Sequence, residues 1–249
     1  MDLRDLDRRA LAAAATAVNR VKRADLARPS PCGDWTLGQL LGHMIGHNRG
    51  FAAAAAGKPT DPAVWDDLTP PADPRRAFAD SVALVTKAFS AKTLLDRKIE
   101  VYGYGAFTAQ TVLGMHFVDF LVHAWDVAKS TGSDAVLDPD LSTSAMKIAL
   151  RWPTDRPSKA FGVMVEPAAD APPGDRLVAY LGRSPAGRAA TEPTRPAARS
   201  ASTRARAGSP APPPPAAARP GGGPGAPLPP SRTPRAAPAR RRAGAPRRT

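Results

Sequence analysis

The last 64 of the 249 residues have nothing with which to build a core. Ala, Pro, Arg and Gly fill 53 of positions 186–249, and Leu228 is the one large apolar residue among them. A segment that cannot bury apolar surface cannot offset its conformational entropy. This composition therefore predicts a low-complexity, disordered tail over 186–249 and confines folding to residues 1–185. Charge divides at the same boundary. The chain carries 35 basic and 22 acidic side chains, a formal net charge of +13. Thirteen Arg and a single acid, Glu192, lie in the tail, which leaves 22 basic and 21 acidic groups in residues 1–185. The folding part is close to neutral, so the bulk charge does not describe a basic domain.

The tail admits three readings. Arg dispersed among Pro and Ala can bind nucleic-acid phosphates through charge alone, although no aromatic is present to stack on bases. It can be a solvated linker. It can also be the product of an altered reading frame in a GC-rich gene, because Ala, Pro, Arg and Gly are encoded by codons starting with two G or C bases. The last is the reading the composition favours.

Cys32 is the single cysteine, so an intramolecular disulfide scaffold is excluded and a reducing compartment is expected. Asp2, Arg4, Asp5 and Asp7 open the chain in a way that does not suit a secretory leader. No stretch approaches the roughly 18 apolar residues of a membrane span. The expectation is a cytoplasmic domain without a membrane partner. A homodimer is compatible with it.

Helical periodicity dominates residues 1–185, without an internal repeat. A first helix is expected from Leu3 to about Val21, ended by Arg28-Pro29-Ser30-Pro31. A second starts at Thr36, where Thr36-Leu37-Gly38-Gln39 fits a capping box, and stops at Gly57. A connector from Pro59 to Pro71 leads to Asp73-Pro74, a cap with proline at the first helical position, and a third helix to about Phe89. Leu95–Tyr102 reads as extended. The fourth helix, Thr108 to Ser130 with Gly132 as terminator, is the longest and most apolar. A fifth over Asp138–Trp152, a strand over Ala160–Val165 and a short helix over Asp175–Leu181 complete the pattern. The expected class is mostly all-α, an up-down four-helix bundle with minor extended segments.

All four histidines lie on two of these helices. His43 and His47 are four residues apart on the second, about 40° apart around its axis. On the fourth, His116, Asp119 and His123 share a sector of about 60°, which Asp126 extends. Solvent faces normally carry Lys, Glu and Arg, as the first helix does with Arg8, Arg9 and Arg20. Between Thr36 and Asn48 there is no Lys, Arg, Asp or Glu. Stripes of His and Asp set among Leu, Val, Phe, Met and Trp point inward. Buried unpaired, such groups are costly, and a divalent cation is one compensation. Imidazole and carboxylate together suit Zn²⁺ first, then Ni²⁺, Fe²⁺ or Mn²⁺, and three protein ligands leave a position open for water or substrate. Satisfied buried histidines or a polar network between helices are the alternatives that spacing leaves open.

Pro31-Cys32-Gly33-Asp34-Trp35-Thr36 followed by Leu40-Leu41-Gly42-His43-Met44-Ile45-Gly46 resembles the N-terminal signature of the DinB-like superfamily. The nearer likeness is to the mycothiol-dependent maleylpyruvate isomerase N-terminal domain and its metal-binding relatives. Asp119-Phe120-Leu121-Val122-His123-Ala124-Trp125-Asp126-Val127-Ala128 then Thr131-Gly132 resembles that family's second motif, and Ala160-Phe161-Gly162 with Asp175-Arg176-Leu177 and Leu181-Gly182-Arg183 resembles the end of its domains. The likeness spans about residues 5–185.

The resemblance implies a DinB-like bundle with His43, Asp119 and His123 as ligands of a divalent metal. Asp119 stands where the isomerases commonly have Glu, so the carboxylate reach is shorter. His47 and His116 fall outside the motif; either can be a fourth ligand, orient the ligands from behind or carry a proton, and the orienting role ranks first because neither matches the motif. Asp126 and Trp125 are assigned to helix packing and a buried hydrogen bond. Catalytic and cofactor-binding residues are not transferable, because the characterised isomerase has a further C-terminal domain where this chain has its Pro/Arg tail. The activity implied is metal- and mycothiol-dependent isomerisation or S-transfer, with a small thiol and a small electrophile as partners. A non-catalytic metal-binding domain and a nucleic-acid-associated protein acting through its basic tail are the alternatives. Cys32, in a Pro-Gly loop, reads as structural, and Arg49 as a solvated helix position.

Overall fold

A computed structural model describes residues 2–59, 61–152 and 161–186. The tail expected over 186–249 lies outside the described residues except for its first position, as does Ala160 of the expected strand. Seven helices and one hairpin follow along the chain: α1 (Leu3–Val18), α2 (Leu37–Ala55), α3 (Pro62–Trp65), α4 (Pro74–Phe89), β1 (Lys98–Val101), β2 (Gly105–Thr108), α5 (Ala109–Thr131), α6 (Pro139–Ala149) and α7 (Pro173–Tyr180). The fold is mostly helical and DinB-like, as the sequence implies.

Local chemistry sets the helix ends. Thr36 Oγ1 accepts from the Gln39 N–H at 3.3 Å and Gln39 Oε1 accepts from the Thr36 N–H at 2.9 Å, a reciprocal cap on α2. Asp73 caps α4 with Pro74 in its first turn, and Thr108 caps α5. Gly132 ends α5 at φ +76°, a left-handed conformation that glycine adopts without a Cβ penalty.

Four helices form the bundle. α1 packs along α5 and α2 along α4, and contacts of α1 with α4 and α2 with α5 close the ring. Leu11, Leu40, Met44, Phe78, Phe117 and Phe120 fill the interior. Each such side chain contributes about 1.5–3 kcal/mol by leaving water. The β1–β2 hairpin is antiparallel, with Ile99 opposite Phe107, and its turn uses Gly103 and Gly105 at positive φ.

The structure departs from the sequence reading in several places, among them a short helix, α3, inside the expected Pro59–Pro71 connector and an end at Ala149 rather than Trp152 for α6. α1 ends at Val18, three residues early, because its C-terminal turn gives way to a separate 3-10 turn at Arg23–Ala27. The extended segment near Leu95 begins with a 3-10 turn at Leu94–Asp96 and gains a second strand, β2, that the sequence did not announce. No strand forms over 161–165: Val165 N–H donates to Ala179 O at 3.0 Å, but no pairing strand lies beside it among the described residues.

The connector between α2 and α4 lies directly on α2. Gly38, Gly42, Gly46 and Gly50 recur every fourth residue and make one smooth stripe on that helix. A Cβ on Gly42 would stand 2.6 Å from Thr69 O, one on Gly46 would strike Val64 O, and one on Gly50 would enter the Trp65 ring. Only bare backbone admits α3 and residues 66–70 so closely. One consequence is that Trp65 is buried against Phe51 (ring centroids 5.0 Å apart) and His47 (5.5 Å).

Candidate metal centre

The α2 and α5 stripes face each other. His43 and His47 stack one turn apart, ring centroids 3.7 Å, and the His43 ring meets His123 edge-on at 5.1 Å. Asp119 spans the gap with its two oxygens. Oδ2 lies 3.1 Å from His47 Nδ1 and Oδ1 lies 3.2 Å from His123 Nε2. Donor atoms of His43, His47 and Asp119 all fall within 4.8 Å of one another. These three residues are half-buried, whereas His123 is buried. Trp35 rests beside His43 at 4.8 Å and closes one side.

His43 has no hydrogen-bond partner among the described residues. Burial, reinforced by the neighbouring His47 and His123, holds its pKa well below the ordinary histidine value, so its ring nitrogen keeps a free lone pair. Burial alone would raise the Asp119 pKa, but charge attraction and hydrogen bonds from His123 and His47 outweigh it and keep the carboxylate ionised. For His123 burial works against the charged form, yet Asp119 and Asp126 prevail and push its pKa to about 9. Three imidazoles and a carboxylate make a donor set that fits a divalent cation, which would take the place of the His123 proton.

Behind His123 runs a second line of contacts. Its Nδ1 lies 2.9 Å from Asp126 Oδ2, the carboxylate–histidine arrangement that fixes a ligating imidazole's tautomer and aim. Asp126 is fully buried and is gripped by Arg183, with Nη2 at 3.1 Å from Oδ2 and Nε at 3.4 Å from Oδ1. The same guanidinium donates to Leu181 O at 2.9 Å and reaches Cys32 Sγ at 3.7 Å. Burial, and then the Asp126 charge, push the Cys32 thiol up to about 12. A protonated thiol in that position is a packing group rather than a nucleophile.

The structure thus brings His43, His47, Asp119 and His123 together and sets His116 apart. His116 is fully buried, and its nitrogens lie 2.6 Å from Asp7 Oδ1 and 3.0 Å from Asn48 Oδ1, within hydrogen-bond distance of both. Asn48 Nδ2 in turn donates to Ser81 Oγ at 2.9 Å, so the network draws on α1, α2, α4 and α5. With both nitrogens taken up by the protein, His116 is not a partner of the ligand cluster, which corrects the placement its spacing suggested. Arg49 is exposed. Sequence reasoning missed Arg183 and the nearness of Cys32 to His123 and Asp126. The resemblance of the Leu181-Gly182-Arg183 ending was the one available signal. It also missed Tyr104 in the hairpin turn, whose pKa is raised by partial burial and then by the Asp119 carboxylate.

Fold and cluster together define a helical-bundle protein with a His/Asp site between two helices. The sequence matches the mycothiol maleylpyruvate isomerase N-terminal domain over residues 8–128, and the chain belongs to that family. An uncharacterized protein of Mycobacterium tuberculosis strain CDC 1551 / Oshkosh is 32% identical over 179 residues, covering 71% of this chain and 94% of the relative. An uncharacterized protein of strain H37Rv of the same species matches equally. Among solved structures, that of the mycothiol-dependent maleylpyruvate isomerase superposes with a TM-score of 0.50 at 17% identity, over 60% of this chain and 68% of that one. A histidine-to-alanine mutant of that enzyme gives the same score at 16% identity. These structural matches show the shared fold. No helix among the described residues is long and apolar enough to cross a membrane.

Proposed function

We propose that this chain is a divalent-metal-dependent enzyme that uses a small thiol, mycothiol in the first instance, to isomerise or conjugate a small electrophile. His43, Asp119 and His123 would hold the metal, with zinc ranked first and nickel, iron or manganese behind it. The observation that carries the reading is that His43 on one helix has donor atoms within 4.8 Å of Asp119 on the other, that His123 lies 3.2 Å from the same carboxylate, and that His43 has no hydrogen-bond partner among the described residues.

A bound divalent cation lowers the pKa of a thiol and makes it a nucleophile at neutral pH. The chain's own residues supply the setting. Arg183 fixes Asp126, Asp126 fixes His123, and His123 and His47 fix the two oxygens of Asp119. Trp35 and Trp65 flank the histidines and exclude water from two sides. The family membership supports mycothiol as the thiol.

Elemental analysis of the purified chain tests the metal. Near-stoichiometric zinc that is lost in both His43→Ala and His123→Ala is expected. A protein that stays metal-free after incubation with zinc, with undiminished stability, would end this reading. Turnover of maleylpyruvate with mycothiol present, and none without it, tests the activity.

A further inference from the structure

We propose that His47 is a fourth protein ligand, so that two one-turn pairs, His43/His47 on α2 and Asp119/His123 on α5, make a closed four-donor site. The inference rests on the metal reading above and changes what the metal can do.

Residues four apart on a helix stack one above the other, so each pair offers two donors along one face. Here the two faces oppose each other. A tetrahedral ion with bonds of about 2.0–2.1 Å spaces its donors roughly 3.3 Å apart. Asp119 already offers Oδ2 at 3.1 Å from His47 Nδ1 and, separately, Oδ1 at 3.2 Å from His123 Nε2, so its two oxygens each meet one histidine, one from each helix. The donor atoms of His43, His47 and Asp119 lie within 4.8 Å, a contraction of roughly 1.5 Å or less from that spacing.

A competing position exists and is unfavourable. Cys32, His123 and Asp126 also bring donor atoms within 4.8 Å of one another. There, however, the Arg183 guanidinium sits 3.1 Å from Asp126 and 3.7 Å from the Cys32 sulfur, placing a positive charge where a cation would have to enter. The ion is thereby directed to the side of His43 and His47. Four protein donors leave no vacant position, so a thiol must enter as a fifth donor or displace one of the histidines.

Cobalt reports coordination number through its visible absorption. The full chain is loaded with Co²⁺ and compared with His47→Ala and His47→Gln. Glutamine keeps an N–H for Asp119 but is a poor ligand, and it covers the case in which the alanine variant fails to fold. Intense four-coordinate bands are expected in the wild type. Both variants should retain one cobalt, bind it at least tenfold more weakly and show weaker, water-coordinated bands. Added imidazole should restore the original spectrum of His47→Ala. A wild-type spectrum and affinity in His47→Gln would overturn the fourth-ligand proposal while leaving the metal reading intact. A wild type that binds no cobalt, or a His43→Ala variant that binds it as well as wild type, would overturn both.

Discussion

His116 and His123 stand seven residues apart on α5, nearly in line, and serve opposite ends. Around His116 every polar atom has a protein partner: Asp7 and Asn48 take its two nitrogens, and Ser81 completes the set. Around His123 the partners stop short, because the ring it faces, His43, has no hydrogen-bond partner among the described residues. One network is closed and wholly buried. The other is rimmed by half-buried side chains and contains a free lone pair. Residue type and helical spacing are the same in both. What separates them is what the neighbouring helices supply: a carboxylate from α1 and an amide from α2 in one case, and two more imidazoles from α2 in the other. A buried histidine is thus read as structural or as a ligand by counting what its neighbours leave unpaired.

The contrast can be broken most forcefully at Arg183. Its ion pair with Asp126 is buried on both sides, so Arg183→Ala strands a carboxylate and should cost about 3–5 kcal/mol in urea unfolding. A chain ending at Gly182 should show the same loss, whereas one ending at Ala186 should retain full stability. Next comes the closed network. Asp7→Ala leaves His116 without its buried acceptor and should cost about 2–4 kcal/mol, yet leave metal content unchanged. Loss of metal in that variant would erase the distinction between the two clusters. Gly46→Ala should cost about 1–3 kcal/mol, because the new methyl meets the Val64 carbonyl and the connector must shift.

Acidity offers a gentler probe. The His123 pKa in the metal-free fold, about 9, lies above the ordinary value of 6.5, so its contribution is complete below pH 6.5 and lost as pH rises toward 9. Asp119 is shifted the other way, and its contribution is present above pH 3.8 and lost in acid. Metal-free protein should therefore be most stable near pH 6.5: above it the His123 contribution is lost, and below it His43, whose pKa burial depresses, binds a proton more readily unfolded than folded, each by at most about 1.4 kcal/mol per pH unit for one proton. Thermal melts on both sides of that pH, with and without zinc, measure it, and zinc should remove the alkaline decline. The smallest effect belongs to His43→Ala, which should change metal-free stability by under about 1 kcal/mol while abolishing metal binding, since no hydrogen bond is lost.

Much of this architecture is legible in the chain itself. Thr36/Gln39, Asp73-Pro74 and Gly132 announce helix ends because capping is local chemistry, and the charge-free run around His43 and His47 announces an inward face. His116 could not be told from His123 by spacing, because the deciding partners, Asp7 and Asn48, lie on other helices. Arg183 was equally hidden: it meets Asp126 across 57 residues and Cys32 across 151. The second hairpin strand escaped notice because four residues containing Gly105 and an exposed face carry too little periodicity.

The glycine stripe on α2 bears on the order of folding. Glycine in a helix interior is less favourable than alanine by about 0.8–1 kcal/mol, and α2 carries four of them. Alone, Leu37–Ala55 should be a poor helix, and its amide protons should exchange freely. Once the connector has settled onto the bare backbone, α3 and residues 66–70 shield that surface, and exchange should slow along the whole length at once. His43 and His47 therefore become a pair only when a segment some twenty residues downstream has docked. Assembly of the site should come late in folding, gated by docking of the connector onto the glycine stripe, and pulsed hydrogen exchange of α2 amides would show it.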